Sequence, residues 1–309
     1  MKKRILLITL ILFILTGCTT YLKDEENNVI KYEETGQNLP ENIICKPTNK
    51  EILKIYNENK VDLKNLEECD EFKLTSGGYE GLWNSFFVKP LAWAILKVGT
   101  FVKNYGLSLI IVAFLIRLLL YPLTKGTTQQ AQKMKSAKPE IDLIEKKYKG
   151  KTAQEEMMKK SQETMVVYKK YGINPLSSCL FAFLQLPLLF AFLEAINRVP
   201  AIFEESFLGL QLGTTPLTAI LDKGQYYYIL VIAVLAVVTV FSVKSNQTTV
   251  GDDTNKQMNF MNKFLYIFIP VISLSMSTAL SLYWIASSSF TIFQSLIVKR
   301  SGKNEIKRI

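Results

Sequence analysis

The run from Phe264 to Val298 is thirty-five residues without a charge. As one helix it would measure about 50 Å, against a bilayer hydrocarbon core of about 30 Å. It therefore reads as two membrane spans, about 264–279 and 281–298, joined by a tight turn near Ser277 to Ser281. Three further apolar runs have spanning length: about Leu107–Leu123, Leu176–Ile196 (opened by Asn174-Pro175 in N-cap and N1 order) and Gln225–Val243. The expected class is an all-α membrane protein with five transmembrane helices, a core over 105–300 and a basic tail over 301–309.

The connections differ sharply in charge. Thr124 to Asn174 carries twelve lysines against six acidic residues, and Lys299 to Ile309 carries five basic residues against one acidic. The 197–224 loop carries two basic and three acidic residues. Basic loops stay on the cytoplasmic side, so the first two lie inside and the third outside. The N-terminus independently agrees. Lys2, Lys3 and Arg4 precede an apolar stretch, Ile5 to Leu15, that is too short to span, as in a signal peptide over 1–17. Leu15-Thr16-Gly17-Cys18 resembles a bacterial lipobox, whose cysteine becomes the lipidated first residue. An uncleaved anchor and an ordinary cleavage site are the alternatives. A lipid on Cys18 places the following residues outside and, five spans later, the tail inside. The expected location is the bacterial plasma membrane. A four-span chain, with 264–298 as one tilted helix, would export the basic tail.

The segment 18–80 is expected to be exported. From residue 19 it holds eight lysines and fourteen acidic residues. Thr48-Asn49-Lys50-Glu51 reads as a capping box opening a helix with Ile52, Leu53, Ile55 and Tyr56 on one side. For Cys45 and Cys69, a disulfide and two partly buried free thiols are both compatible with an exported segment. Ser76-Gly77-Gly78 marks a linker. Over 81–104, Trp83, Phe86, Phe87, Leu91 and Trp93 are broken by Lys89, Lys97 and Lys103, which suits an amphipathic helix at the outer interface. A short extra span is the alternative.

In the basic stretch 124–174, Met134, Ala137, Ile141, Ile144 and Tyr148 recur at helical spacing. After Gly150, Ala153, Met157, Ser161, Thr164, Tyr168 and Tyr171 resume it, behind a second box at Thr152-Ala153-Gln154-Glu155. Two antiparallel helices, a cytoplasmic helical hairpin, are expected. Their outer lysines suit acidic headgroups, a ribosome surface or a partner, and equally suit a solvated face that only satisfies the charge rule.

Enzyme chemistry finds little support. The chain has no histidine, and Cys18, Cys45, Cys69 and Cys179 form no CxxC pair, so thiol redox, zinc and other metal or cofactor sites lack their usual residues. Nothing resembles sequence-specific nucleic-acid recognition. The informative residue is Arg117, inside Ala113-Phe114-Leu115-Ile116-Arg117-Leu118-Leu119-Leu120-Tyr121-Pro122. Inserting arginine mid-span costs about 2.5–3.5 kcal/mol. It must face a polar interior or, lying about 10 Å from the end of its run, snorkel to headgroups. Gln185 lies mid-span, and Ser281, Trp284, Ser288, Thr291 and Ser295 form one polar stripe on the last helix. Ser273, Ser275, Ser277 and Thr278 add hydroxyls nearby. Interhelical glue is one reading and a polar cavity the other. Glu194 sits near an outer end, one turn from Arg198, and the two are expected to pair.

Five motifs in order then carry a resemblance: Gly81-Leu82-Trp83 with Val88-Lys89-Pro90-Leu91, Ile116-Arg117-Leu118-Leu119-Leu120-Tyr121-Pro122-Leu123, Asn174-Pro175-Leu176, Gln185-Leu186-Pro187, and Leu280-Ser281-Leu282-Tyr283-Trp284. Over about 81–300 the chain resembles the YidC/Oxa/Alb family of membrane protein insertases in its lipobox-bearing form. The resemblance implies five spans around a hydrophilic groove open to cytoplasm and lipid, with Arg117, Gln185, Ser242, Ser281, Trp284 and Ser288 as groove residues. Ser242 is the nearest counterpart of a third-span polar residue. The implied partners are nascent membrane proteins and the bilayer, with ribosome and Sec translocon as further candidates, and no cofactor. The turn before the last span departs from the family's Pro/Gly signature, reading Ser277-Thr278-Ala279-Leu280. A small transporter or channel subunit using the same cavity, or a passive lipoprotein scaffold, are the rival readings.

Overall fold

The computed structural model describes residues 19–151, 153–174, 177–246 and 252–306. Cys18 and its motif, Thr152 and Pro175 lie outside the described residues. Along the chain run α1 (Lys50–Glu58), α2 (Gly81–Val102, with a π-helical turn at Asn84–Val88), α3 (Tyr105–Leu119), α4 (Tyr121–Lys147) and α5 (Gln154–Tyr171). They are followed by α6 (Ser177–Arg198), α7 (Pro200–Phe203), α8 (Pro216–Leu221), α9 (Tyr228–Asn246), α10 (Asp252–Leu274) and α11 (Thr278–Ile306). Strand content among the described residues is two short antiparallel pairs, Lys31–Tyr32 with Gln37–Asn38 and Ser206–Phe207 with Leu210–Gln211.

Among the described residues, three helices are long and apolar enough to cross a membrane: α2, Tyr228–Ser245 and Thr278–Lys299. The α3–α4 pair passes together as a helix bent by 74°. The break falls at Leu120, inside the stretch 107–123 that the sequence suggests as one span. Pro122 explains it: with no N–H to donate and φ already helical, it suits the first turn of a new helix better than the end of an old one. The turn before α11 is also displaced, from Ser277–Ser281 to the residues between Leu274 and Thr278. The backbone N–H groups of Thr278 and Ala279 donate to the carbonyls of Thr214 and Leu212, so the 197–224 loop satisfies the start of α11.

The chain forms two compact units. The first comprises Met1–Leu115, Gln185–Leu235 and Val271–Ala286. Here residues 19–80 build a core of their own around Leu22, Tyr32, Leu39, Ile43, Ile52, Tyr56 and Leu63, completed by Phe203. Cys45 and Cys69 are joined as a disulfide. The cap of α1 is Asn49 rather than Thr48: Asn49 Oδ1 accepts from the N–H groups of Glu51 and Ile52. Thr48 is drawn off by Glu204, whose carboxylate accepts from its N–H at 3.0 Å and its hydroxyl at 2.6 Å. Nor is Ser76-Gly77-Gly78 a free linker, because the carbonyls of Ser76 and Gly78 each accept from Lys89 Nζ at 2.7 Å.

Gly213 shows how closely loop and segment fit. A Cβ there would stand 1.8 Å from Gln37 Oε1 and 2.6 Å from the carbonyl oxygen of Phe203. The glutamine can swing away; the backbone oxygen cannot. Gly213→Ala is expected to destabilise by about 1–3 kcal/mol, the range for overpacking, read as a lowered unfolding midpoint in detergent. An unmoved midpoint would show that the loop yields.

The second unit comprises Ile116–Leu184, Ala236–Pro270 and Ser287–Ile309. In it α4 packs on α5 through Met134, Ala137, Ile141, Val167, Tyr168 and Ile173, with Ile144 and Tyr171 half-buried. The apolar phase of α4 is the one its spacing suggests. In α5 the expected Tyr168 and Tyr171 lie on the packed face and Val167 joins them, while Met157, nearer the start of the helix, is exposed. At the start of α5 Ala153 occupies the N-cap with no side-chain bond; the second capping box rests on Thr152, outside the described residues. Lys147 with the Tyr148 hydroxyl meets Glu163, and Lys170 with the Tyr171 hydroxyl meets Glu140. These surface pairs contribute little energy, but one near each end of the helix pair fixes its register.

Candidate functional site

In the second unit, Arg117 is only 7% exposed. Its Nε donates to Ser287 Oγ at 2.9 Å, and an Nη donates to the same hydroxyl. The polar contacts continue along α11. Thr291 Oγ1 donates to the Ser287 carbonyl at 3.0 Å, Gln294 Nε2 to Thr124 Oγ1 at 3.0 Å, and Ser295 Oγ to the Ser245 carbonyl at 3.5 Å. Thr124, Thr291, Gln294 and Ser295 are all buried. Hydrogen bonds to a charged group contribute about 1.5–3 kcal/mol, comparable to the cost of holding the guanidinium at depth. A guanidinium does not deprotonate in proteins, so the seam carries a fixed positive charge.

Ser287, the partner of Arg117, is absent from the sequence-derived stripe, which runs through its neighbour Ser288. The signal was the triplet Ser287-Ser288-Ser289: three consecutive hydroxyls about 100° apart on a helix present one to a partner over a wide range of rotation. Ser288 and Ser242, in the same unit, are partly exposed. Gln185, Trp284 and Ser281 belong to the first unit. Gln185 and Trp284 are partly exposed there, whereas Ser281 is fully buried with its Oγ 2.7 Å from Ser273 Oγ. That contact is helix–helix glue.

The first unit carries a separate buried ionic group. Glu194 does not form the expected ion pair with Arg198; its Oε1 accepts from Trp83 Nε1 at 3.1 Å. Arg198 instead meets Glu80 Oε2 at 2.9 Å, and its Nε donates to the Asn42 carbonyl at 2.6 Å. Lys89, 1% exposed, lies 2.9 Å from the other Glu80 oxygen. Burial pushes the Glu80 carboxyl up, but hydrogen bonds from Arg198 and Lys89 outweigh it and hold the group below its ordinary range. The i,i+4 spacing of Glu194 and Arg198 suggested a local pair; α2 and the residues before it supply both actual partners.

Fold and site together define a multi-pass α-helical membrane protein with a deeply held arginine. Residues 97–305 match the family described as 60Kd inner membrane protein, and the chain belongs to that family. It is 35% identical over 222 residues to the membrane protein insertase YidC of Oceanobacillus iheyensis, covering 72% of this chain and 85% of that one. To the membrane protein insertase MisCA of Bacillus subtilis it is 35% identical over 218 residues, 70% and 79% of the two chains. A crystal structure of an active YidC insertase, with its first transmembrane domain resolved, shares the fold at a TM-score of 0.52 and 22% identity. That match covers 80% of this chain and about half, 52%, of the solved one.

Proposed function

We propose that the protein is a membrane protein insertase and chaperone, which receives nascent hydrophobic segments in a hydrophilic groove and releases them sideways into the bilayer. The observation that carries this reading is Arg117, charged, buried and held by a serine on the polar face of an otherwise apolar helix. The relatives' names support it. In the proposed layout five spans follow the apolar runs, the 18–80 segment lies outside behind a lipid on Cys18, and the basic α4–α5 pair forms a hairpin in the cytoplasm, within reach of ribosome and translocon. Arg117, Ser242 and Ser288 line the groove in the second unit. An incoming segment with a short acidic tail is drawn by the guanidinium, and its apolar part then moves into lipid, where burial contributes about 25 cal/mol per Å². The step needs no covalent chemistry.

The test is insertion of a single-span substrate with a short acidic outer tail into liposomes holding only this protein. Wild type should insert it, and failure there defeats the reading. Arg117→Ala should insert it roughly tenfold more slowly, the size of one lost charge-assisted contact, with neutral-tailed substrates less affected. An acidic-tail rate in the variant equal to that of wild type would remove Arg117 from the mechanism while leaving the activity standing.

A further inference from the structure

In the second unit, where the ends of α9 and α11 pack beside α4, lies a cavity of about 520 Å³. That is the size of a small-molecule site, typically about 300–1,000 Å³. Lys135 of α4, Lys244 of α9 and Lys299 of α11 line it together with Phe241, Leu296 and Val298, and none of its ten lining residues is acidic. Lys135 is fixed in place: its Nζ donates to the carbonyls of Lys244 at 3.0 Å and Ser245 at 2.8 Å, in the last turn of α9. A helix C-terminus favours a cation at this position. Two of the three ammonium protons are thereby used and the third is left over. Burial, then the like charge of Lys299, holds the Lys135 ammonium below its ordinary pKa, so the two cations feel each other across the cavity. Beside them Phe241 and Leu296 are 58% and 55% exposed.

This arrangement has two halves, a cluster of cations and an open apolar wall. At the ends of two apolar helices, those halves match the boundary between headgroups and acyl chains. We propose that the cavity binds one acidic phospholipid, its phosphate among Lys135, Lys244 and Lys299 and its chains against Phe241 and Leu296. The proposal rests on the membrane layout above but not on insertion activity. Inorganic phosphate shares the headgroup chemistry; the apolar wall favours the lipid.

The full chain, reconstituted in nanodiscs of phosphatidylcholine with a minor fraction of phosphatidylglycerol, is released into mild detergent and its retained lipid counted by native mass spectrometry. Wild type should retain phosphatidylglycerol in preference to phosphatidylcholine. In Lys244→Gln/Lys299→Gln that preference should fall roughly tenfold or more, since two of the three cations that attract the anionic headgroup are removed. Lys244→Arg/Lys299→Arg should keep it, and the distant control Lys159→Gln/Lys160→Gln should behave as wild type. Added salt should weaken it. An unfolding midpoint equal to wild type confirms that the glutamine variant is folded; if that midpoint falls, the arginine pair against the lysine control decides. Equal preference in wild type and the glutamine variant overturns the proposal, as does binding of inorganic phosphate with no enrichment of phosphatidylglycerol.

Discussion

Glu80→Ala should destabilise the first unit by about 3 kcal/mol, the upper end for hydrogen bonds to charged groups, because the carboxylate is itself 31% exposed. Glu80 holds Lys89 with one carboxylate oxygen and Arg198 with the other. Those cations are 1% and 3% exposed, so taking away the carboxylate leaves Lys89 with only the Ser76 and Gly78 carbonyls and Arg198 with the Asn42 carbonyl, and neither with a counter-charge at salt-bridge distance. In a protein of this size the loss corresponds to roughly 10 °C in unfolding midpoint. Lys89→Met should cost less, because it removes one charge, leaves Glu80 with Arg198 and fills the space with apolar atoms. A midpoint for Glu80→Ala within a degree or two of wild type would contradict the ionic bridge. The pH dependence has a defined sign. The folded carboxyl titrates below the ordinary 4.5, so its contribution is complete above that value and is lost as pH falls through the folded value. Wild type should therefore lose midpoint below about pH 4.5 more steeply than Glu80→Gln does.

The second large effect is expected at Cys45–Cys69. The bridge closes a loop with a sequence separation of 24, for which chain-entropy arguments give about 3 kcal/mol. The loop contains α1, whose Ile52 and Tyr56 sit in the small core. In Cys45→Ser/Cys69→Ser, hydrogen exchange and protease cutting should rise over residues 19–80 before they change in α9 or α11. Reductant should reproduce the pattern in wild type. Uniform loosening of all helices, or none, would show that this core is not an independent unit of stability.

Where burial is one-sided, the sequence was legible. The apolar phases of α1 and α4, and the long runs of α9 and α11, emerge from spacing alone because a buried face repeats with the helix. Element ends were less legible. Thr48 and Asn49 are both good caps, and the choice is made by Glu204, 156 residues beyond Thr48. Pro122 reads as part of a span until one asks where its missing N–H would have to donate. At the candidate site, Arg117 is conspicuous by its cost, whereas Ser287 is one of three adjacent serines whose choice depends on helix rotation, which is set by packing. The same limit misassigned Glu194 and Arg198: their local spacing was right for a pair, but Trp83 and Glu80 reach them from elsewhere in the chain.

Phe203 completes the hydrophobic core of residues 19–80 from well over a hundred positions away, and this has a consequence for the order of synthesis. The segment made early cannot finish folding until the 197–224 loop has been translated and brought back to it. During that interval its apolar surface lacks its last wall, and the tie between Cys45 and Cys69 is the closure available from its own residues. The part of the chain that emerges near the start is thus completed among the later steps of assembly.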